Sequence, residues 1–179
     1  MKKEKALLGI FALVVIAIAY QRNTSNDKGN VRKVLDNWLD TLENGTAKEV
    51  ADLYTEDAVL LGTVSEKLDI GRQQIEGYFD GFLESNPSGL ITQLDVQNMG
   101  MNIAVANGLY TFNLSPEDAS TEEVQARFTY VLERKLTSNT WLIKTHHSSK
   151  NPSELRGKEE GKQEPKKPVK TRRRERVIG

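Results

Sequence analysis

The segment from Val124 to Pro152, VQARFTYVLERKLTSNTWLIKTHHSSKNP, restricts the fold more than any other part of the chain. β-Branched and aromatic residues dominate positions 124–134 and 140–149, and the polar Thr137-Ser138-Asn139 stretch separates the two runs. This pattern predicts two long strands joined by a turn. Successive side chains of a strand point to opposite faces, so Arg127 lies on the other side of the sheet from both of its neighbours. An arginine in this setting lies either in water or in a pocket that faces a negative group.

Two helices are predicted in the first part of the chain. Apolar residues recur at offsets 0, 3, 4, 7, 8 and 11 from Val31, which is one stripe of a helix, and Asn44-Gly45 ends it. Thr46 and Glu49 have the spacing of a capping box, so a short second helix is predicted through Tyr54.

A strand, a third helix and four further strands are predicted next. Residues 58–63 (AVLLGT) have the composition of a strand, and the apolar spacing from Ile75 to Leu83 predicts a helix between Gly71 and Pro87. The remaining strands are predicted at residues 90–97, 103–114, 124–134 and 140–149, with turns short enough for antiparallel hairpins. Helices that precede a run of strands predict an α+β fold.

The N-terminus has the pattern of an export signal. Lys2, Lys3 and Lys5 precede an apolar run from Ala6 to Tyr20, which predicts a signal peptide or, if uncleaved, an N-terminal membrane anchor with a transmembrane helix. The lysines favour a cytoplasmic N-terminus, so the domain is expected to be exported: periplasmic, secreted or membrane-anchored. The predicted segments are 1–20 for the signal or anchor, 21–29 for a linker, 30–152 for the domain and 153–179 for a disordered basic tail.

The charge distribution limits the partners of the chain. Residues 21–149 carry 11 basic and 19 acidic residues, whereas residues 150–179 carry 11 and 5. An acidic domain repels nucleic acid, so no nucleic acid is expected as a partner. The basic tail is able to attract anionic lipid headgroups, which would add to membrane attachment through the N-terminal segment. The chain has no cysteine, which excludes disulfides and thiol chemistry.

Four motifs resemble a known superfamily. They are LYTEDAVL at 53–60, GRQQIEGYFDGF at 71–82, ARFTYVLER at 126–134 and WLIKTHHSSKNP at 141–152. Together they resemble the nuclear transport factor 2-like (SnoaL-like) superfamily of cystatin-type α+β rolls. The last two motifs are most similar to the calcium/calmodulin-dependent protein kinase II association domain and the SgcJ/EcaC-type proteins. The resemblance implies three N-terminal helices packed on a curved antiparallel sheet, a cone with a pocket, and oligomers built through the sheet.

The resemblance also implies site residues. Arg127 matches the family arginine that points into the pocket, and His147 with Ser149 matches the histidine and serine of the final strand. Strand alternation puts His147 on the face of Trp141 and places His146 on the opposite face. Aromatic residues either line the pocket or belong to the core. The candidate ligand-binding residues are Arg127, His147, Thr129, Trp38, Tyr54, Tyr78 and Tyr110.

Two interpretations of Arg127 remain open. It binds an anionic or carboxylate small molecule, or it forms an internal ion pair, with Asp95, Glu66 or Asp69 as partners. If it binds a ligand, Arg127→Met leaves the stability of the unliganded protein unchanged or raised, whereas loss of a buried ion pair lowers it by about 3–5 kcal/mol.

Metal and cofactor chemistry is not predicted. His146 and His147 diverge on a strand and the chain has no third histidine, so no metal site is expected. No cofactor is expected either. Related enzymes place a carboxylate or histidine near the end of the first strand, where this chain has Leu60-Leu61-Gly62-Thr63. The absence of a general base there weakens the case for an acid/base enzyme.

The sequence therefore predicts an exported or membrane-tethered domain that binds a small molecule or associates with itself, as a homodimer or larger assembly through the sheet face. One alternative is a SnoaL-like enzyme of the isomerase, cyclase or dehydratase type that acts on a polyketide-like or steroid-like substrate. Another alternative is a tethered scaffold that recruits a different protein through the same face.

Overall fold

The computed structural model describes residues 27–63, 65–117, 119–135 and 137–152. The predicted signal or anchor at 1–20, linker residues 21–26 and the predicted tail at 153–179 lie outside these residues. The helices are α1 (27–44), α2 (Ala47–Asp52) and α3 (Arg72–Leu83). The strands are β1 (Tyr54–Leu61), β2 (Asp69–Ile70), β3 (Pro87–Asn98), β4 (Ile103–Leu114), β5 (Glu122–Lys135) and β6 (Thr140–Lys150). No helix in the described ranges is long and apolar enough to cross a membrane.

The first helix begins earlier than its apolar stripe indicates. Val31, Leu35 and Leu42 are buried along the predicted stripe, but residues 27–29, expected in the linker, are already helical. The reason is Asp27, which is 1% exposed and accepts hydrogen bonds from Arg134 and Asn98 of the sheet. A tertiary ion pair thus adds a turn that the local sequence does not specify.

The second helix has the predicted capping box and ends before Tyr54. Thr46 and Glu49 each bond the other's backbone N–H through their side chains. The carbonyl of Leu53 accepts a hydrogen bond from the N–H of Ile143 at 2.9 Å, so the chain enters the sheet at this point. Tyr54 is therefore the first residue of β1 and not the last of α2.

The sheet has the strand order β2-β1-β6-β5-β4-β3. Neighbouring strands are antiparallel, as predicted, except that β1 and β6 are parallel. These two strands stand at opposite ends of the domain sequence and no hairpin joins them, so their direction was not fixed by a turn. The described chain therefore forms the expected α+β roll, with a curved mixed sheet.

The core lies between the helices and one face of the sheet. Trp38 of α1 is 3% exposed and contacts aromatic rings from α3, β4, β5 and β6. Inward-facing strand residues alternate with outward-facing ones along β4 and β5. The concave face is thus covered by the helices, and the opposite, outer face of the sheet faces away from them.

Candidate functional site

A β-bulge in the last strand decides which histidine faces the interior. Leu132 of β5 pairs with Ile143, whereas the preceding Val131 pairs with Thr145, so Lys144 is an extra residue in β6. An extra residue reverses the facing of every side chain that follows it. Odd-numbered residues of β6 therefore face inward before Lys144, and even-numbered residues face inward after it.

The prediction that His147 faces the interior is wrong for this reason. His146 is 3% exposed and shares the inner face with Trp141 and Ile143, which precede the bulge. His147 is exposed on the outer face. Sequence reasoning also missed Ser148, which is buried beside His146.

His146 belongs to a buried hydrogen-bonded group with Tyr54 and Trp38. The Trp38 Nε1–H donates to the Tyr54 hydroxyl oxygen at 3.1 Å, and that hydroxyl lies 2.9 Å from His146 Nδ1. An indole N–H only donates, so the Tyr54 oxygen accepts from Trp38. The direction of the Tyr54–His146 bond follows the tautomer of the neutral ring: the proton is on Nε2 when Tyr54 donates and on Nδ1 when Tyr54 accepts.

His146 is neutral at physiological pH. The pKa of His146 is lowered from 6.5 to about 3, mainly by burial and to a smaller extent by the nearby charge of His147. The ring stacks on Tyr130 with centroids 4.0 Å apart. Among the described residues neither His146 Nε2 nor the Tyr130 hydroxyl has a hydrogen-bond partner. Of these two residues, His146 lines the interior cavity, so its Nε2 remains able to bond a small molecule there.

A second polar group surrounds Ser148. Its hydroxyl contacts the hydroxyls of Tyr110 and Thr63 through short hydrogen bonds. Burial raises the pKa of Tyr110, so its phenol stays protonated and donates to Ser148. These are neutral groups that can bond a hydroxyl or carbonyl.

The interior cavity is small and has an aromatic entrance. Its volume is about 20 Å³, and its lining residues include no Asp, Glu, Lys or Arg within the described chain. Outside it lies a groove of about 410 Å³. Tyr78 and Phe82 line both spaces, and their rings stack with centroids 6.1 Å apart. A Cβ at Gly62 would collide with the Tyr78 ring, so this glycine allows the ring to close the cavity.

Arg127 lies on the outer face, contrary to the prediction of a pocket arginine. Its neighbours in β5, Ala126 and Phe128, are buried on the inner face. The side chain of Arg127 therefore points to the outer face, where it is exposed. Its Nε donates to the Ser149 hydroxyl at 2.9 Å. It forms no ion pair within the described ranges, so the alternative of an internal ion pair is also wrong.

The seven candidate residues therefore divide between the two faces. Trp38, Tyr54 and Tyr110 are buried in the interior and Tyr78 lies at its entrance. Thr129 is half-buried on the outer face, where its hydroxyl donates to Asn107 Oδ1 at 2.8 Å, and Arg127 and His147 lie on that face with it. The structure does not bring the two groups together.

Arg127→Met is expected to change the free energy of unfolding by less than about 0.5 kcal/mol, because an exposed side chain with one hydroxyl partner contributes little. Urea unfolding of the variant and of wild type measures the difference. Gln73→Met, a change at an exposed position on α3, is the matched control. A loss of several kcal/mol in Arg127→Met would contradict its placement on the outer face.

The outer face mixes apolar and polar side chains in cross-strand rows. One row runs through Val105, Val131, Thr145 and Val59, and all four side chains are half-buried. The neighbouring row runs through Asn107, Thr129, His147 and Leu61.

Three helices on a curved six-stranded sheet, with an aromatic interior, define a nuclear transport factor 2-like α+β roll with a cystatin-like fold. Residues 27–152 match the family described as the calcium/calmodulin dependent protein kinase II association domain. The chain belongs to this family.

Solved structures support the same assignment. A Xanthomonas campestris protein described as a calcium/calmodulin dependent protein kinase II association domain is 42% identical, with a TM-score of 0.65 over 68% of this chain and 86% of that chain. A Novosphingobium aromaticivorans protein described as a scytalone dehydratase has a TM-score of 0.67 at 10% identity, over 73% of this chain and 88% of that chain. The second likeness shows the fold alone. No curated protein matches the chain.

Proposed function

We propose that the domain is a self-association module that pairs with a second copy of itself through the outer face of β1, β6, β5 and β4. In this proposal residues 1–20 hold the assembly at a membrane and the domain lies outside the cytoplasm. The observation that carries self-association is the composition of the outer face. The N-terminal pattern of three lysines before a 15-residue apolar run supports the tether.

In a sheet whose outer face stays in water, apolar inward residues alternate with polar outward residues along each strand. Here the outward positions include Val59, Val105, Val131 and Leu109, and Leu61 is 37% exposed. Thr129, on the same face, is bonded to Asn107. A second copy that covers the face would remove the apolar side chains from water. The likeness to proteins described as association domains favours the same conclusion.

Val131→Glu is expected to abolish self-association, because it places a charge between Val105 and Thr145 in the apolar row of the proposed interface. Wild type is expected to have at least twice the 20.1 kDa chain mass, and the variant one chain mass. Light scattering of the full chain in mild detergent, corrected for the micelle, measures this.

Gln73→Glu is the matched control, because Gln73 is exposed on α3, and the helices lie on the opposite face of the sheet from the proposed interface. This variant should retain the wild-type mass. A wild-type chain that stays monomeric at micromolar concentration would overturn the proposal. Dissociation by Gln73→Glu and not by Val131→Glu would place the interface elsewhere.

A second candidate function is binding of a small molecule in the interior. It is favoured by the unbonded His146 Nε2, which belongs to a residue that lines the cavity, and by the groove that stops at Tyr78 and Phe82. Rotation of those two rings would join the groove to the cavity. The small molecule would be apolar or aromatic, with a carbonyl, hydroxyl or carboxylate group that bonds to His146 Nε2.

Ligand binding is tested by thermal shift of the full chain with aromatic carboxylates and with their neutral amides. If the ligand binds in the interior, Tyr78→Ala changes the ligand-induced shift in melting temperature. Arg127→Met leaves that shift unchanged. If Arg127→Met abolishes the shift, the ligand binds on the outer face. The alternative of an isomerase, cyclase or dehydratase has less support, because the end of β1 presents Leu60-Leu61-Gly62-Thr63 and no general base.

A further inference from the structure

The turn between β3 and β4 exposes two methionines at its tip. Met99 is 63% exposed and Met101 is 72% exposed. The turn is ordered by its own hydrogen bonds, from the Met99 N–H to the Ile103 carbonyl at 2.9 Å and from the Gly100 N–H to Asn98 Oδ1 at 3.0 Å. The methionines are therefore held in water by a defined hairpin.

This hairpin is attached to the point where the chain enters the domain. Asp27, the first described residue, accepts from Asn98 Nδ2 at the end of β3 and from Arg134 Nη1. Arg134 also donates from Nη2 to the carbonyl of Met101. The N-terminal segment therefore leaves the domain beside the exposed methionines.

The distance to the apolar run is short. Seven residue steps separate Tyr20 from Asp27, which reach at most roughly 25 Å when fully extended. If residues 6–20 lie in a bilayer, as the proposed function requires, the β3–β4 hairpin is held at the membrane side of the domain. Leu68 precedes β2, at the opposite edge of the sheet from β3.

This end of the domain carries two exposed lysines and one half-buried carboxylate, Glu133, opposite Ile103. Lys28 follows Asp27 and Lys135 follows Arg134, and both side chains are exposed. The nearby carboxylate of Asp27 is 2% exposed and is paired with Arg134, so it presents little negative charge to the outside. Lysines next to exposed apolar side chains suit an interface with anionic lipid headgroups.

We infer that the Met99–Met101 hairpin contacts the lipid surface when the chain is tethered, which fixes the orientation of the domain on the membrane. The methionines enter the boundary between headgroups and acyl chains, and Lys28 and Lys135 contact anionic headgroups. This inference rests on the tether of the proposed function, and it is independent of self-association.

The test uses two full-length variants, Met101→Trp and Leu68→Trp, in vesicles of phosphatidylcholine and phosphatidylglycerol. Trp38 and Trp141 are buried and are present in wild type and in both variants. The emission of wild type therefore gives the background that is subtracted from each variant. Vesicle flotation reports the tether. Emission wavelength and quenching by brominated lipid report contact between the new tryptophan and lipid.

The Met101→Trp protein is expected to shift its emission to shorter wavelength on vesicles and to be quenched, and the Leu68→Trp protein is expected to show neither change. Met99→Trp should behave as Met101→Trp does. If the proteins float but the Met101→Trp emission matches that of Leu68→Trp, the hairpin contact is wrong and the tether stands. If the full chain does not float, both the tether and the hairpin contact fail.

Discussion

Arg134→Met is expected to lower the free energy of unfolding by about 3–5 kcal/mol, because it leaves the buried Asp27 carboxylate without its charged partner. The two side chains are 11% and 2% exposed, and Arg134 Nη1 lies 2.9 Å from Asp27 Oδ1. The neutral donor Asn98 alone would remain on the carboxylate. The variant also loses the stacking of the guanidinium over Trp141, at 5.1 Å from the ring centroid.

The measurement is urea unfolding of wild type, Arg134→Met and the matched control Arg32→Met. Arg32 pairs with Asp36 one turn along α1 and both side chains are about half exposed, so its loss is expected to change the free energy by less than about 0.5 kcal/mol. Combining Asp27→Asn with Arg134→Met should recover part of the loss, since no charge is then stranded. Equal effects of Arg134→Met and Arg32→Met would refute the importance of the buried pair.

This ion pair also shows where sequence reasoning reaches its limit. The stripe from Val31 to Leu42 depends on local spacing, so it was predictable, and so were the capping box of α2 and the span Ile103–Leu114 of β4. The extra turn at Asp27 depends on Arg134, 107 positions away. Composition indicated a linker there because no local pattern reports a contact with a distant strand.

The candidate site was predicted in part for a similar reason. The aromatic residues Trp38, Tyr54 and Tyr110 were found because large rings in amphipathic elements are buried. The facing of His146 and His147 depends on one inserted residue, Lys144, and the surrounding sequence WLIKTHHSS continues in strand-forming residues without a break. Likeness to a family supplied the pocket role of Arg127, and the burial of its neighbours Ala126 and Phe128 shows that its side chain lies on the outer face instead.

The free energy of unfolding is expected to fall as the pH is lowered from 6.5 to 5, and His146 is the cause. Its pKa is about 3 in the folded protein and its ordinary value is 6.5, so the unfolded chain takes up a proton in this range and the folded chain does not. The stability from neutral His146 is complete above pH 6.5 and is lost as the pH falls toward 3. One such group lowers the free energy of unfolding by roughly 2 kcal/mol at pH 5 relative to neutral pH.

The two histidines of the chain provide a matched pair of variants. His146→Phe keeps a ring against Tyr130 and removes the titrating group, so its unfolding free energy should be nearly flat between pH 6.5 and 5. It loses the bond to Tyr54, so the slope and not the absolute stability is compared. His147→Gln should retain most of the wild-type slope, because burial of His146 is the larger cause of its lowered pKa. A flat His147→Gln profile beside a steep His146→Phe profile would assign the pH response to the outer face of the sheet.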